Sequence, residues 1–94
     1  MALKYRGIFK LVIISPKRVL YENEVESVFL NGDSSEYELL PYHFPILGSL
    51  LAGDIVINWK ERIPIKSGVV RFFANECTIL VEEAPSENSS VENE

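Results

Sequence analysis

Apolar and polar residues alternate with a period of two along much of the chain. The alternation recurs in short runs at residues 25–30, 54–59, 62–66, 69–73 and 77–82. Such runs predict half-buried strands, and turn-forming residues separate them. No window shows the period of an amphipathic helix. The sequence therefore predicts an all-β domain over residues 1–84, built as an antiparallel two-sheet β-sandwich or a flattened barrel with no long helix.

Two stretches depart from simple alternation. Pro64 lies inside an alternating run, which predicts an edge strand or a bulge because proline has no N–H for the ladder. The segment Ile46–Ala52 is ambiguous, since Gly48 and Gly53 disfavour a helix there without defining a strand.

Charge is concentrated at the C-terminus. The chain has 14 acidic and 9 basic residues, and five of the acids but none of the bases lie from Glu82 onward. Residues 1–81 are therefore neutral, with 14 − 5 = 9 acids against 9 bases. A domain without a basic surplus argues against nucleic-acid binding. Residues 85–94, PSENSSVENE, contain Val91 as the one large apolar residue, so we expect a short disordered acidic tail.

Few residues have side chains placed for catalysis or for binding a metal or phosphate. Cys77 is the single cysteine, which excludes an intrachain disulfide and favours the cytoplasm. It alternates with Ile79 and Val81, so we expect a small core residue and not a nucleophile. The glycines are scattered and form no phosphate loop. The longest uncharged stretch, Leu39–Gly53, is shorter than the ~20 residues that span a bilayer. We expect no enzymatic activity, no cofactor, no metal site and no membrane span.

One segment stands out. SEYELLPYHFPIL, residues 35–47, holds the only histidine, His43, between Pro41 and Pro45. The prolines fix φ near −65° and bias the residues before them toward extended geometry, so the segment is stiff. A stiff uncharged loop that carries Tyr42 and Phe44 is typical of a contact surface. Alternatively, these two rings close the open end of the sandwich.

Two stretches of sequence resemble a known family. LVIISPKRVLYENEVESVFLNG, residues 11–32, is similar to the opening strands of the N-terminal β-sandwich domain of F-type ATP synthase epsilon subunits. SEYELLPYHFPIL is similar to the phrase G-E-F-G-I-L-P-G-H-A-P-L-L of that family, and it matches the pattern Leu-Pro-x-His-x-Pro. Later family phrases correspond to Gly53–Ile57, Ser67-Gly68 and Thr78–Val81. The resemblance covers nearly the whole of residues 8–84.

The resemblance implies a function. It implies a non-catalytic rotor subunit of the central stalk, which links the gamma subunit to the membrane c-ring and couples proton-driven rotation to ATP synthesis. The chain would lie in the cytoplasm and reach the membrane only through the complex. Glu36, Pro41, His43 and Pro45 match the family phrase, and the resemblance implies that they face the polar loops of the c-ring, with His43 as a hydrogen-bonding residue. The alternative is a stand-alone β-sandwich module that binds a protein or ligand.

Two departures from the family pattern carry expectations. Ser35, Glu38 and Tyr42 replace family glycines, which predicts a loop of changed shape because glycine permits positive φ. Family members continue into a C-terminal helical hairpin that can block hydrolysis and, in some bacteria, responds to ATP. Here an acidic segment without an apolar stripe follows Ala84, so we expect a coupling and assembly subunit without that regulation.

Overall fold

The computed structural model of the chain describes residues 7–85, and these fold into eight strands. No helix within this range could cross a membrane. The predicted tail lies outside the described residues, apart from Pro85. The strands are β1 Phe9–Ile14, β2 Val19–Val25, β3 Val28–Asn31, β4 Glu36–Leu39, β5 Ile46–Leu50, β6 Gly53–Ile57, β7 Glu61–Phe73 and β8 Glu76–Glu83.

The strands form one sheet path in the order β2-β1-β8-β7-β6-β3-β4, and β5 also pairs with β7. The long strand β7 joins two layers, because its first half pairs with β6 while its second half pairs with β5 and β8. The predicted β-sandwich is thus confirmed, and the path does not close into a barrel. The pairs are antiparallel with one exception, since β1 and β8 run parallel.

The core consists of alternate residues from both layers. Burial follows the predicted period of two in β1 and β8, because one face of each strand meets the opposite layer. The rings of Phe9 and Phe72 meet edge to face at 5.3 Å near its centre. Sixteen buried apolar residues form a single cluster: Phe9, Leu11, Ile13, Val25, Val28, Leu30, Leu39, Leu50, Ile55, Ile57, Ile65, Val70, Phe72, Cys77, Ile79 and Val81.

Ser67 and Gly68 separate the alternating runs 62–66 and 69–73, so the sequence predicts a turn at these two residues, and this prediction is wrong. Both residues lie inside β7, where the pairing with β8 shifts register between Ile65 and Ser67. A Cβ added to Gly68 would lie 2.9 Å from the carbonyl oxygen of Leu80, so glycine permits the close approach of the two backbones. Pro64 lies just before this bulge, where pairing with β8 has not yet begun. The predicted edge or bulge position of Pro64 is confirmed.

Two other runs do not form the single strands that the alternation predicts. The run 25–30 divides between β2 and β3, with the buried Ser27 at the break. The run 54–59 ends at Ile57, and Trp59 lies in the following turn with 70% of its surface exposed. Trp59 therefore does not share the buried face of Ile55 and Ile57. The ambiguous segment after Pro45 forms a strand, β5.

A polar cluster fastens the end of β8 to the turn between β1 and β2. The Ser15 hydroxyl donates to Glu83 Oε2 at 2.8 Å, and the Arg18 guanidinium donates to Glu83 Oε1 at 2.9 Å. These hydrogen bonds, first from Arg18 and then from Ser15, hold the pKa of Glu83 below its usual value. The buried Ser15 is satisfied in this way, and the last described strand is tied to the first turn.

Candidate functional site

Three turns meet at one end of the sandwich. They are the loop 40–45 between β4 and β5, the turn 57–60 between β6 and β7, and the turn 73–76 between β7 and β8. The backbone N–H of Tyr42 donates to Asn75 Oδ1 at 2.7 Å, which joins the first turn to the third. Leu40, Pro41 and Trp59 line one shallow groove of about 220 Å³, which joins the first turn to the second. We call this surface the three-turn end.

Strained backbone is concentrated there. Within residues 7–85, every non-glycine residue with positive φ belongs to one of the three turns. Bulky residues avoid this left-handed region, and residues held in it occur in tight turns and cluster at functional surfaces. The φ values are 66° for Tyr42, 53° for Asn58, 64° for Trp59, 52° for Ala74 and 62° for Asn75.

The first turn has the arrangement of a type II turn. Pro41 occupies its first central position, Tyr42 occupies the second with φ of 66°, and the N–H of His43 donates to the carbonyl of Leu40 at 3.2 Å. The second central position is one at which glycine is favoured. Tyr42 thus adopts the conformation that a glycine would adopt, so the absence of glycine at this position does not prevent the turn.

The second turn presents the aromatic ring of Trp59. Asn58 and Trp59 both have positive φ, and the N–H of Lys60 donates to the carbonyl of Ile57 at 3.0 Å, as in a type I′ hairpin turn. Asn58 Oδ1 accepts from the N–H of Glu26 at 2.7 Å, which fixes the turn against the β2–β3 connection. Sequence reasoning missed Trp59 as a surface residue. The available signal was Asn58, since asparagine favours the central positions of such turns.

His43 is half-buried against the core. Its ring lies 5.7 Å from that of Phe72 at 69°, and 4.3 Å from that of Phe44 at 34°. Nδ1 lies 2.7 Å from the carbonyl oxygen of Phe44, and because a carbonyl oxygen only accepts, Nδ1 is the donor of this hydrogen bond. Tyr42 and Phe44 are 66% and 70% exposed. These two rings therefore face outward and do not close the end of the sandwich.

The structure brings three of the four predicted site residues together. Pro41, His43 and Pro45 lie in the loop 40–45, whereas Glu36 begins β4 and pairs with Asn31. At roughly 3.4 Å per residue, Glu36 lies at most about 17 Å from Pro41 along the chain. Since β4 is the last strand in the sheet order, its outer edge runs from Glu36 to the loop.

The chemistry of the three-turn end suits contact more than catalysis. Within residues 7–85, no three His, Cys, Asp or Glu side chains are grouped so that they could hold a metal ion. Cys77 is buried as predicted, and burial raises its pKa to about 12, so it remains a thiol. What the end does offer is exposed aromatic rings, one imidazole and a stiff backbone.

A comparison with protein families shows which family this chain is related to. Residues 8–87 match the model of the ATP synthase delta/epsilon chain β-sandwich domain, which includes the whole loop 40–45. The chain belongs to this family. The resemblance found in the sequence is thereby confirmed.

Individual epsilon chains are also similar to this chain in sequence. The ATP synthase epsilon chain of Nitratiruptor sp. is 35% identical over 89 residues, covering 90% of this chain and 69% of the relative. That of Desulfitobacterium hafniense is 36% identical over 81 residues, covering 83% and 61%. The chloroplast epsilon chain of Pisum sativum is 33% identical over 81 residues, covering 83% and 59%. The chain therefore spans about three fifths of the length of most of these family members.

Solved structures share the fold. A chain of the central stalk and c-ring assembly of the mitochondrial ATP synthase of Tetrahymena thermophila matches with a TM-score of 0.69 and 14% identity, covering 85% of this chain and 67% of that chain. A chain of the mitochondrial ATP synthase of Euglena gracilis matches with a TM-score of 0.76 and 12% identity, covering 96% and 62%. At these identities the likeness establishes the β-sandwich of the family and no more.

Proposed function

We propose that this chain is a non-catalytic rotor subunit of an F-type ATP synthase. It links the gamma subunit to the c-ring and couples proton-driven rotation to ATP synthesis, and it reaches the membrane only through the complex. The observation that carries this proposal is the family match over residues 8–87, since it covers every described strand.

The c-ring contact is proposed for the loop 40–45 and the outer edge of β4. Pro41 and Pro45 stiffen the loop, and the half-buried His43 uses Nδ1 within the loop, which leaves Nε2 as the ring nitrogen for a hydrogen bond to a partner. Glu36 lies farther along the same edge, so a partner that follows β4 would reach all four residues. An exposed carboxylate and an imidazole are suited to the polar loops of a membrane ring.

Coupling measurements test this contact. The double change Glu36→Ala and His43→Ala removes both polar groups, and Glu24→Ala removes an exposed carboxylate from β2, the strand at the opposite end of the sheet order. Both proteins should keep the dichroism spectrum of the unmodified chain. In a complex reconstituted from subunits of one organism, the double variant should weaken the coupling of ATP hydrolysis to proton pumping, while the Glu24 variant should not. Equal coupling in all three complexes would refute the assignment of these residues.

The gamma contact is tested separately. The purified chain should capture the gamma subunit of the same organism in a pull-down, and the double variant should capture it equally well, because the gamma contact lies elsewhere on the sandwich. A chain that binds no gamma subunit would favour a stand-alone binding module.

A further inference from the structure

Asn75 connects three separate segments of the chain. Its Oδ1 accepts from the N–H of Tyr42 at 2.7 Å, and its Nδ2 donates to the carbonyl of Ile8 at 2.9 Å. Its own carbonyl accepts from the N–H of Lys10 at 3.3 Å. The donor and acceptor chemistry of these partners also settles which amide atom faces which segment. One side chain thus joins the loop 40–45, the start of β1 and the β7–β8 turn.

The contact with Tyr42 falls where the loop is strained. Tyr42 holds a φ of 66°, a left-handed conformation that is unfavourable for a residue with a Cβ. The direction of the Tyr42 N–H depends on the conformation of the turn. A hydrogen bond to that N–H therefore favours the left-handed conformation of Tyr42 over other backbone conformations. The next residue is His43, so the direction of the imidazole depends on the φ of Tyr42.

We propose that Asn75 is the positioning residue of the His43 loop. It holds Tyr42 in the left-handed conformation and thereby sets the shape in which the loop meets its partner. The identity of that partner rests on the proposed function. The positioning of the loop rests on the hydrogen bonds of Asn75 alone.

A purely local role for Asn75 can be separated from this one. Asn75 has φ of 62° in a two-residue turn, and asparagine is favoured there for that reason alone. Glycine also adopts positive φ and supplies the same backbone carbonyl to Lys10. Asn75→Gly therefore keeps the turn and removes only the two side-chain hydrogen bonds.

Two further variants serve as controls. Asn75→Asp keeps an oxygen for the N–H of Tyr42 and loses the donor to Ile8. Asn58→Gly makes the same substitution in the neighbouring turn and removes the hydrogen bonds to Glu26 and Ser27, which do not involve the loop. Amide hydrogen exchange measured by NMR on the full chain should show the N–H of Tyr42 exchanging about tenfold faster in Asn75→Gly. In Asn75→Asp and Asn58→Gly, this exchange should change by less than about threefold.

Exchange and coupling together decide the inference. It is supported if Asn75→Gly accelerates Tyr42 exchange and weakens coupling in the reconstituted complex to the degree that His43→Ala does, with an unfolding midpoint close to that of Asn58→Gly. Unchanged Tyr42 exchange overturns it. Faster exchange with intact coupling also overturns it, provided that His43→Ala still weakens coupling. If neither Asn75→Gly nor His43→Ala affects coupling, but Tyr42 exchanges faster in Asn75→Gly, the positioning of the loop by Asn75 stands and the proposed c-ring contact fails.

Discussion

Replacing Ala74 with glycine should stabilise the protein. Ala74 is exposed and holds a φ of 52° in the β7–β8 turn. The left-handed conformation costs a residue with a Cβ about 1–2 kcal/mol, and glycine removes that cost. The greater freedom of glycine in the unfolded chain offsets about 0.4–1 kcal/mol of the gain. The midpoints of these two ranges leave a rise of about 0.8 kcal/mol in the free energy of unfolding, which raises Tm by about 3–6 °C for a domain of this size.

The matched control is Ala52→Gly. Ala52 is also exposed, and it precedes β6 without a positive φ. The same substitution should there lower the free energy of unfolding by about 0.4–1 kcal/mol, since only the effect on the unfolded chain remains. Thermal and urea unfolding followed by circular dichroism measure both variants, and the urea slope shows whether unfolding stays two-state. If Ala74→Gly were as destabilising as Ala52→Gly, the positive φ of Ala74 would not cost the free energy assigned to it here.

Three further outcomes are expected. A thiol reagent should modify Cys77 only after unfolding, because the thiol is buried and its pKa is about 12; rapid modification of the folded chain at pH 8 would contradict its core position. The pKa of Glu83 is lowered in the folded state, so the stability it contributes is fully present above its unfolded value near 4.5 and is lost as pH falls through the folded value. Urea midpoints of the unmodified chain and of Glu83→Gln should thus differ at pH 7 and approach each other as the pH falls below 4.5, and a constant difference would be evidence against the role of Arg18 and Ser15. Removal of the residues after Ala84 should change Tm by no more than a few degrees, because their composition offers little apolar surface to bury; a larger drop would show that they pack on the sandwich.

The strands were predictable where one face is buried and the other is exposed to solvent. In β8, the residues Cys77, Ile79 and Val81 are buried and their neighbours are not, so the period of two appears directly in the sequence. In β5, two apolar residues stand side by side and are followed by glycine and serine, so the sequence shows no period of two. The parallel pairing of β1 with β8 has no local signature, because it depends on which strands meet after the chain has folded.

The candidate site was predictable in part for a similar reason. Pro41 and Pro45 mark the loop because their effect on the backbone is local. The roles of Asn75 and Trp59 depend on left-handed turns that meet in space, and the local sequence does not show which turns meet. Glu36 shows the opposite case, since it is close to the loop in sequence but lies at the far end of β4.

The parallel pairing of β1 with β8 also sets the order in which this domain can be completed during synthesis. Leu11 pairs with Cys77, so the first described strand lies beside the last described strand. Until β8 leaves the ribosome, β1 has only the hairpin partner β2, and β7 lacks its neighbour on that side. Contacts between such distant residues form slowly, since a long loop must close first. The edge of β1 that faces β8 therefore stays unpaired from the synthesis of residues 9–14 until residues 76–83 emerge, and this is an interval in which unpaired strands aggregate and chaperones are needed.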